Sequence, residues 1–124
     1  MAGGVGKASA LKLAYSSYQK TSRALAAVAY ALANNHGLED ELLDIAKGRT
    51  TSYLAETAYI PKVAARAWRW APEMREVASA LREASLPTEL AEASASVMER
   101  WANCRDQSIE LGEALAQLHE VPEE

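Results

Sequence analysis

From Lys7 to Asn35 the sequence contains neither proline nor glycine, and the stretch is bounded by Gly3-Gly4-Val5-Gly6 on one side and Gly37 on the other. Leu11, Tyr15, Tyr18, Ser22, Leu25, Ala29 and Leu32 alternate steps of four and three, which places them on one seam of a helix. A second stripe, Ala14, Ser17, Thr21, Ala24, Val28 and Ala31, consists mostly of small side chains, so another backbone could approach closely there. From Ala24 to Ala33 every residue is apolar, a pattern that predicts burial on all sides. The chain is therefore expected to be all-α, a helical bundle around a long central N-terminal helix. Lys12, Ser16, Gln19, Lys20 and Arg23 form a polar strip opposite the Leu-Tyr seam. Either solvent or a polar partner faces them.

The remaining segments supply the expected neighbours. Gly37 suits a left-handed C-terminal cap, with His36 beside it as part of the helix end, and Leu38 to Lys47 reads as a short acidic helix with Leu42, Leu43 and Ile45 inward. Thr50 or Thr51 can cap a helix running to about Ile60. Pro61 suits the first turn of the next, in which Val63, Ala67, Trp70, Met74, Val77 and Leu81 step by four and three. Pro72 predicts a break or sharp kink, because an interior proline removes a hydrogen bond and clashes with the preceding turn, at about 3 kcal/mol. Trp68 and Trp70 cannot both face one core, so either one of them sits at an interface or pocket or both are partly buried at the core's edge. After the turn at Leu86-Pro87-Thr88, a stripe from Leu90 through Val97, Trp101, Cys104, Ser108, Leu111 and Leu115 to Leu118 predicts one long helix or two collinear ones. The domain reading is a linker or cut interdomain hinge at 1–6, a single all-α domain at 7–120, and an acidic tail at 121–124.

Composition bounds the function. At 124 residues and 49% hydrophobic, the chain can bury about two-thirds of its unfolded surface as one domain. Its longest apolar run is about half of the roughly 20 residues that a membrane span needs, and no secretory leader pattern opens it, so a soluble, cytoplasmic protein is expected. A net charge of −4 with dispersed basic residues argues against nucleic acid or an anionic membrane as a partner. The single cysteine, Cys104, falls in a helical seam and is expected to be a buried thiol. His36 and His119 both fall at helix ends, and neither has a second ligand nearby that would suggest a metal site. Gly6-Lys7 does not complete a phosphate-binding loop. No strand precedes it, Ala8 stands where Ser or Thr should follow the lysine, and Met1 occupies the position of the first glycine.

Two stretches carry a resemblance. Gly6-Lys7-Ala8-Ser9-Ala10-Leu11-Lys12-Leu13-Ala14-Tyr15 with Tyr18-Gln19-Lys20, and Ala67-Trp68-Arg69-Trp70-Ala71-Pro72-Glu73-Met74 leading to Leu86-Pro87, resemble the C-terminal helical domain of NAD(P)-dependent dehydrogenases of the β-hydroxyacid and 6-phosphogluconate dehydrogenase superfamily. The closest branch is one whose C-terminal domain was long known only as a domain of unknown function, and the likeness spans about Gly3 to Arg100. The resemblance implies that Lys12 is the catalytic lysine, with Ser16 at the position of the family's asparagine. It places Glu73 where relatives carry an acidic residue of a Lys-Asp pair, with Pro72 in place of the lysine. Ser16, Glu73, Trp68 and Trp70 are the implied substrate contacts. It also implies a homodimer packed through this domain and a Rossmann domain, in cis or in trans, that binds NAD(P). This chain itself contains no Gly-x-Gly-x-x-Gly after a strand, so it is expected to bind no cofactor and to be inactive alone.

Two functional readings follow. One is a substrate-binding and dimerisation domain of an oxidoreductase; the other is a stand-alone helical interaction or dimerisation module with no catalytic role. A Rossmann domain encoded immediately upstream would decide for the first.

Overall fold

Gly37 determines where the first helix stops. In a computed structural model, which describes residues 3–119, α1 spans Gly3–Asn35 and Gly37 adopts φ +71° just beyond its end. The amide of Leu38 donates to the carbonyl of Ala33 at 2.8 Å and that of Gly37 to Asn34 at 3.0 Å, the paired bonds of a Schellman cap. The helix begins at Gly3, so Gly3–Gly6 is helical where the sequence suggested a linker. The expected acidic tail, 121–124, lies outside the described residues. A second helix, α2, follows at Glu39–Lys47, and Asn34 Nδ2 donates to Glu39 Oε2 at 3.1 Å across the turn.

The chain divides into two compact units, Met1–Ala46 with α1 and α2, and Lys47–Glu124. The second unit opens with two 3-10 turns, Tyr53–Ala55 and Thr57–Tyr59, instead of the α-helix expected from Thr50 or Thr51. Ser52 provides the cap, its hydroxyl accepting from the amide of Leu54 at 3.2 Å. Then come α3 at Ile60–Glu83, α4 at Glu89–Glu99, a 3-10 turn at Ala102–Cys104 and α5 at Leu111–Gln117. No strand occurs among the described residues, and the all-α class stands.

The buried side chains gather on α3, not on the N-terminal helix. Ala64, Ala67, Ala71, Ala78 and Leu81 of α3 are buried, as are Ala91 and Ala95 of α4, which packs along it. Small residues on both helices let the two backbones approach closely. At the other end Ala64, Ala67, Trp101, Cys104 and Ala114 form one cluster, flanked by Ile60, Val63, Met98, Ile109 and Leu118. Trp101 Nε1 donates to the carbonyl of Ala114 at 2.9 Å, so the indole enters the core with its polar edge satisfied. Cys104 is buried, as its seam position predicted.

Three expectations are corrected. No residue of α1 from Gly6 onward is buried, including the Ala24–Ala33 stretch, and Leu25 remains 50% exposed. In α2, Ile45 is 77% exposed and Leu43 is also exposed, not inward. Periodicity shows that a face is apolar; it does not say which element covers it. Second, of the break or sharp kink expected at Pro72, the break does not occur: α3 continues through it. Pro72 is exposed, while Ala71 and Ala78 on either side are buried, and burial along both halves offsets one missing hydrogen bond. Third, the last segment is not one helix or two collinear ones. Asp106 takes a positive φ of 56° and donates its amide to the carbonyl of Ala65 at 2.9 Å, which ends the helical path between α4 and α5.

Candidate functional site

The resemblance-implied residues fall on both units. Lys12 is exposed and Ser16 half-buried, one turn apart on α1. Further along that helix Tyr15, Tyr18, Gln19, Ser22, Arg23 and Ala26 line a shallow groove. Trp68, Trp70 and Glu73 belong to α3. Both tryptophans are half-buried and each has its own surroundings, as two indoles two residues apart on a helix must. Glu73 is exposed and lines neither of the clefts described below.

Trp68 is fixed by the loop that leaves α4. Its Nε1 donates to Asp106 Oδ1 at 3.0 Å, and the Arg105 guanidinium stacks over its ring at 3.8 Å from the centroid. Arg105 Nε also lies 3.9 Å from Asp106 Oδ2. The left-handed turn at Asp106 thus presents its backbone amide to α3 and its carboxylate to the indole. Aspartate tolerates that conformation better than most residues.

On the same unit, a cleft of about 500 Å³ lies between the start of α3 and this loop. Ala58, Pro61, Lys62, Ala65 and Arg66 form one wall, and Asp106, Gln107, Ser108 and Ile109 form the other. Ile109 packs against the buried cluster and Asp106 is bonded to Ala65, so the loop wall is anchored at both ends. Next to it, and sharing Ala58 and Lys62, a second cleft is lined by Arg49, Tyr53, Glu56, Tyr59 and Trp70.

Cations dominate this surface. Arg49 pairs with Glu56 and stacks over Tyr53 at 3.6 Å. Arg66 Nη1 donates to the Tyr59 hydroxyl at 2.9 Å, and both Lys62 Nζ and the Arg66 guanidinium lie 5.9 Å from the Tyr59 ring centroid. Those distances are within cation–π range. Among the described residues neither Lys62 nor Arg66 has a carboxylate within ion-pair distance. By contrast, Arg75 is paired with Glu99 and Arg82 with Glu92.

The sequence reading passed over Arg49, Tyr59, Lys62, Arg66, Arg105 and Asp106. One signal was available. Lys62 and Arg66 stand four apart in the opening turns of a helix that has no acidic residue in its first turn. Like charges at that spacing destabilise a helix by about 0.2–0.5 kcal/mol, and cations at its beginning oppose the macrodipole. The loop wall gave no such signal, because its contact with α3 joins residues far apart in the chain.

No group of three or more His, Cys, Asp and Glu among the described residues is placed to hold a metal ion. No helix among them is long and apolar enough to cross a membrane. The family model of the domain of unknown function DUF1932 matches residues 33–101, more than half of the chain. This domain is known as the C-terminal domain of NAD(P)-dependent 6-phosphogluconate dehydrogenase-like proteins. No curated protein and no solved structure matches the chain significantly.

Proposed function

Because this chain belongs to the DUF1932 family, a family of dehydrogenase-associated C-terminal domains, we propose that it is the substrate-binding and dimerisation domain of an NAD(P)-dependent oxidoreductase of the cytoplasm. The observation that carries the proposal beyond family membership is α1: Leu11, Leu13, Tyr15, Leu25 and Tyr30 are all exposed on a helix whose Ala24–Ala33 stretch is apolar all round. Exposed apolar surface of that extent supports an interface with a second copy or with a cofactor-binding domain. In this reading the nicotinamide sits on a Rossmann domain, supplied in cis or in trans. Lys12 on the polar strip of α1 moves the proton to or from the reacting oxygen, and Ser16, one turn on, helps to hold the substrate.

Light scattering of the chain at micromolar concentration tests the dimer. A mass twice that of the 13.4 kDa chain is expected, and a clean monomer would remove dimerisation from the proposal. Calorimetry with NADH and NADPH tests the division of labour. Without the Rossmann fingerprint, no tight stoichiometric binding is expected, and finding it would place a cofactor site on this domain.

A further inference from the structure

We propose that the cleft between the start of α3 and the loop after α4 binds the oxyanion group, phosphate or carboxylate, of a small molecule through Lys62 and Arg66. Calling that molecule the substrate rests on the oxidoreductase reading; the anion site itself is inferred from the cleft alone.

Four observations converge. Lys62 and Arg66 both line the cleft, and neither has a carboxylate partner among the described residues, although 17 acidic residues are available in the chain. The acid on the facing wall, Asp106, is already engaged by the Trp68 indole at 3.0 Å and by Arg105 at 3.9 Å, which reduces its competition for the two cations. Arg66 is half-buried and held by the Tyr59 hydroxyl through one Nη, so the guanidinium is oriented in advance and keeps its other donors for a ligand. Finally, Gln107 and Ser108 on the opposite wall bring an amide and a hydroxyl that can bond an oxyanion or the polar atoms next to it. Arginine with lysine on one wall of a cleft is a donor set suited to phosphate and carboxylate, with the fork of the guanidinium giving direction and the ammonium giving charge. A volume of about 500 Å³ suits a small metabolite.

The test is a titration of the whole chain, followed by amide chemical shifts, with inorganic phosphate in one arm and acetate in the other. Saturable shifts concentrated at 58–66 and 106–109 are expected in at least one arm, and the tighter arm identifies the oxyanion. Lys62→Gln, at an exposed position, and Arg66→Gln should each weaken binding by about tenfold or more, the loss of one charge-assisted contact. Arg75→Gln, which removes a cation already paired with Glu99, should leave it unchanged. If no saturable binding occurs in either arm, or if Arg75→Gln weakens binding as much as Lys62→Gln, the proposal is overturned. The oligomeric state does not enter this measurement, so its failure is separable from failure of the dimer.

Discussion

At the scale of single residues, two non-glycine side chains in left-handed backbone shape the second unit. Ser85, φ 60°, ends α3 in the position that a glycine normally occupies: its amide donates to Arg82 at 3.0 Å and that of Leu86 to Leu81 at 2.9 Å. A non-glycine residue there costs about 1–2 kcal/mol, part of which glycine returns through its greater freedom in the unfolded chain. Ser85→Gly is therefore expected to stabilise the protein by about 0.5–1 kcal/mol, read as a higher urea midpoint at unchanged slope. Asp106, φ 56°, differs because its side chain and amide both make contacts that glycine would only half replace. Neither left-handed conformation was read from the sequence, although Asp106 stands among residues that favour a helix break. Gly37 was legible because glycine after a helical run has few other uses, whereas Ser85 stands where a glycine is usual and the backbone of Asp106 is held by Ala65, far away in the sequence. The burial of Cys104 was legible too, although the residue lies in a 3-10 turn and not in the long helix whose seam suggested it.

At the scale of elements, starts and stops were easier to read than packing. Pro61 does open α3, and the helix that begins there contains the stripe Ala64, Ala67, Ala71, Met74, Ala78 and Leu81, which shares Ala67, Met74 and Leu81 with the expected one. The larger Val63, Trp70 and Val77 drew the expected stripe to one side, but close packing against α4 favoured the alanines. The stripe through Trp101, Cys104, Ser108, Leu111 and Leu118 kept helical spacing across a region that is not helical. Asn103, Asp106 and Ser108, whose side chains compete with helical hydrogen bonds, were the better guide. Pro72 gives the sharpest test at this scale. Since α3 is continuous through it, the missing hydrogen bond is a cost the helix carries, and Pro72→Ala should restore the bond. A gain of about 2 kcal/mol is expected, the helix-interior difference of about 3 reduced by the greater freedom of the unfolded alanine chain. Equilibrium unfolding followed by circular dichroism measures it; a loss of stability would mean that the proline's shape is required for packing against α4.

At the scale of the whole molecule, the sequence presents more apolar helix than the described core uses. The buried cluster and its flanking residues all belong to the second unit, and the side chains of α1 that were expected to centre the fold are not among them. The seam on α1 was correctly recognised as apolar, but a pattern in one chain cannot separate a face covered by its own fold from one covered by another molecule. A two-fold interface through α1 would cover it on both copies at once, and obligate interfaces of this kind commonly bury more than about 2,000 Å² in total. Val28 distinguishes interface from core. It lies on the small-residue stripe, is half-buried, and belongs to neither the buried cluster nor its surroundings. Val28→Glu places a charge where a partner helix would have to desolvate it, at a cost of several kcal/mol. The variant is expected to scatter light as a monomer at concentrations where the wild-type chain is dimeric, while thermal unfolding of the second unit keeps its cooperativity. A variant that remains dimeric would put the interface elsewhere. Loss of the folded second unit would instead mean that α1 supports that core directly, and the surplus apolar face would then belong to the fold rather than to a partner.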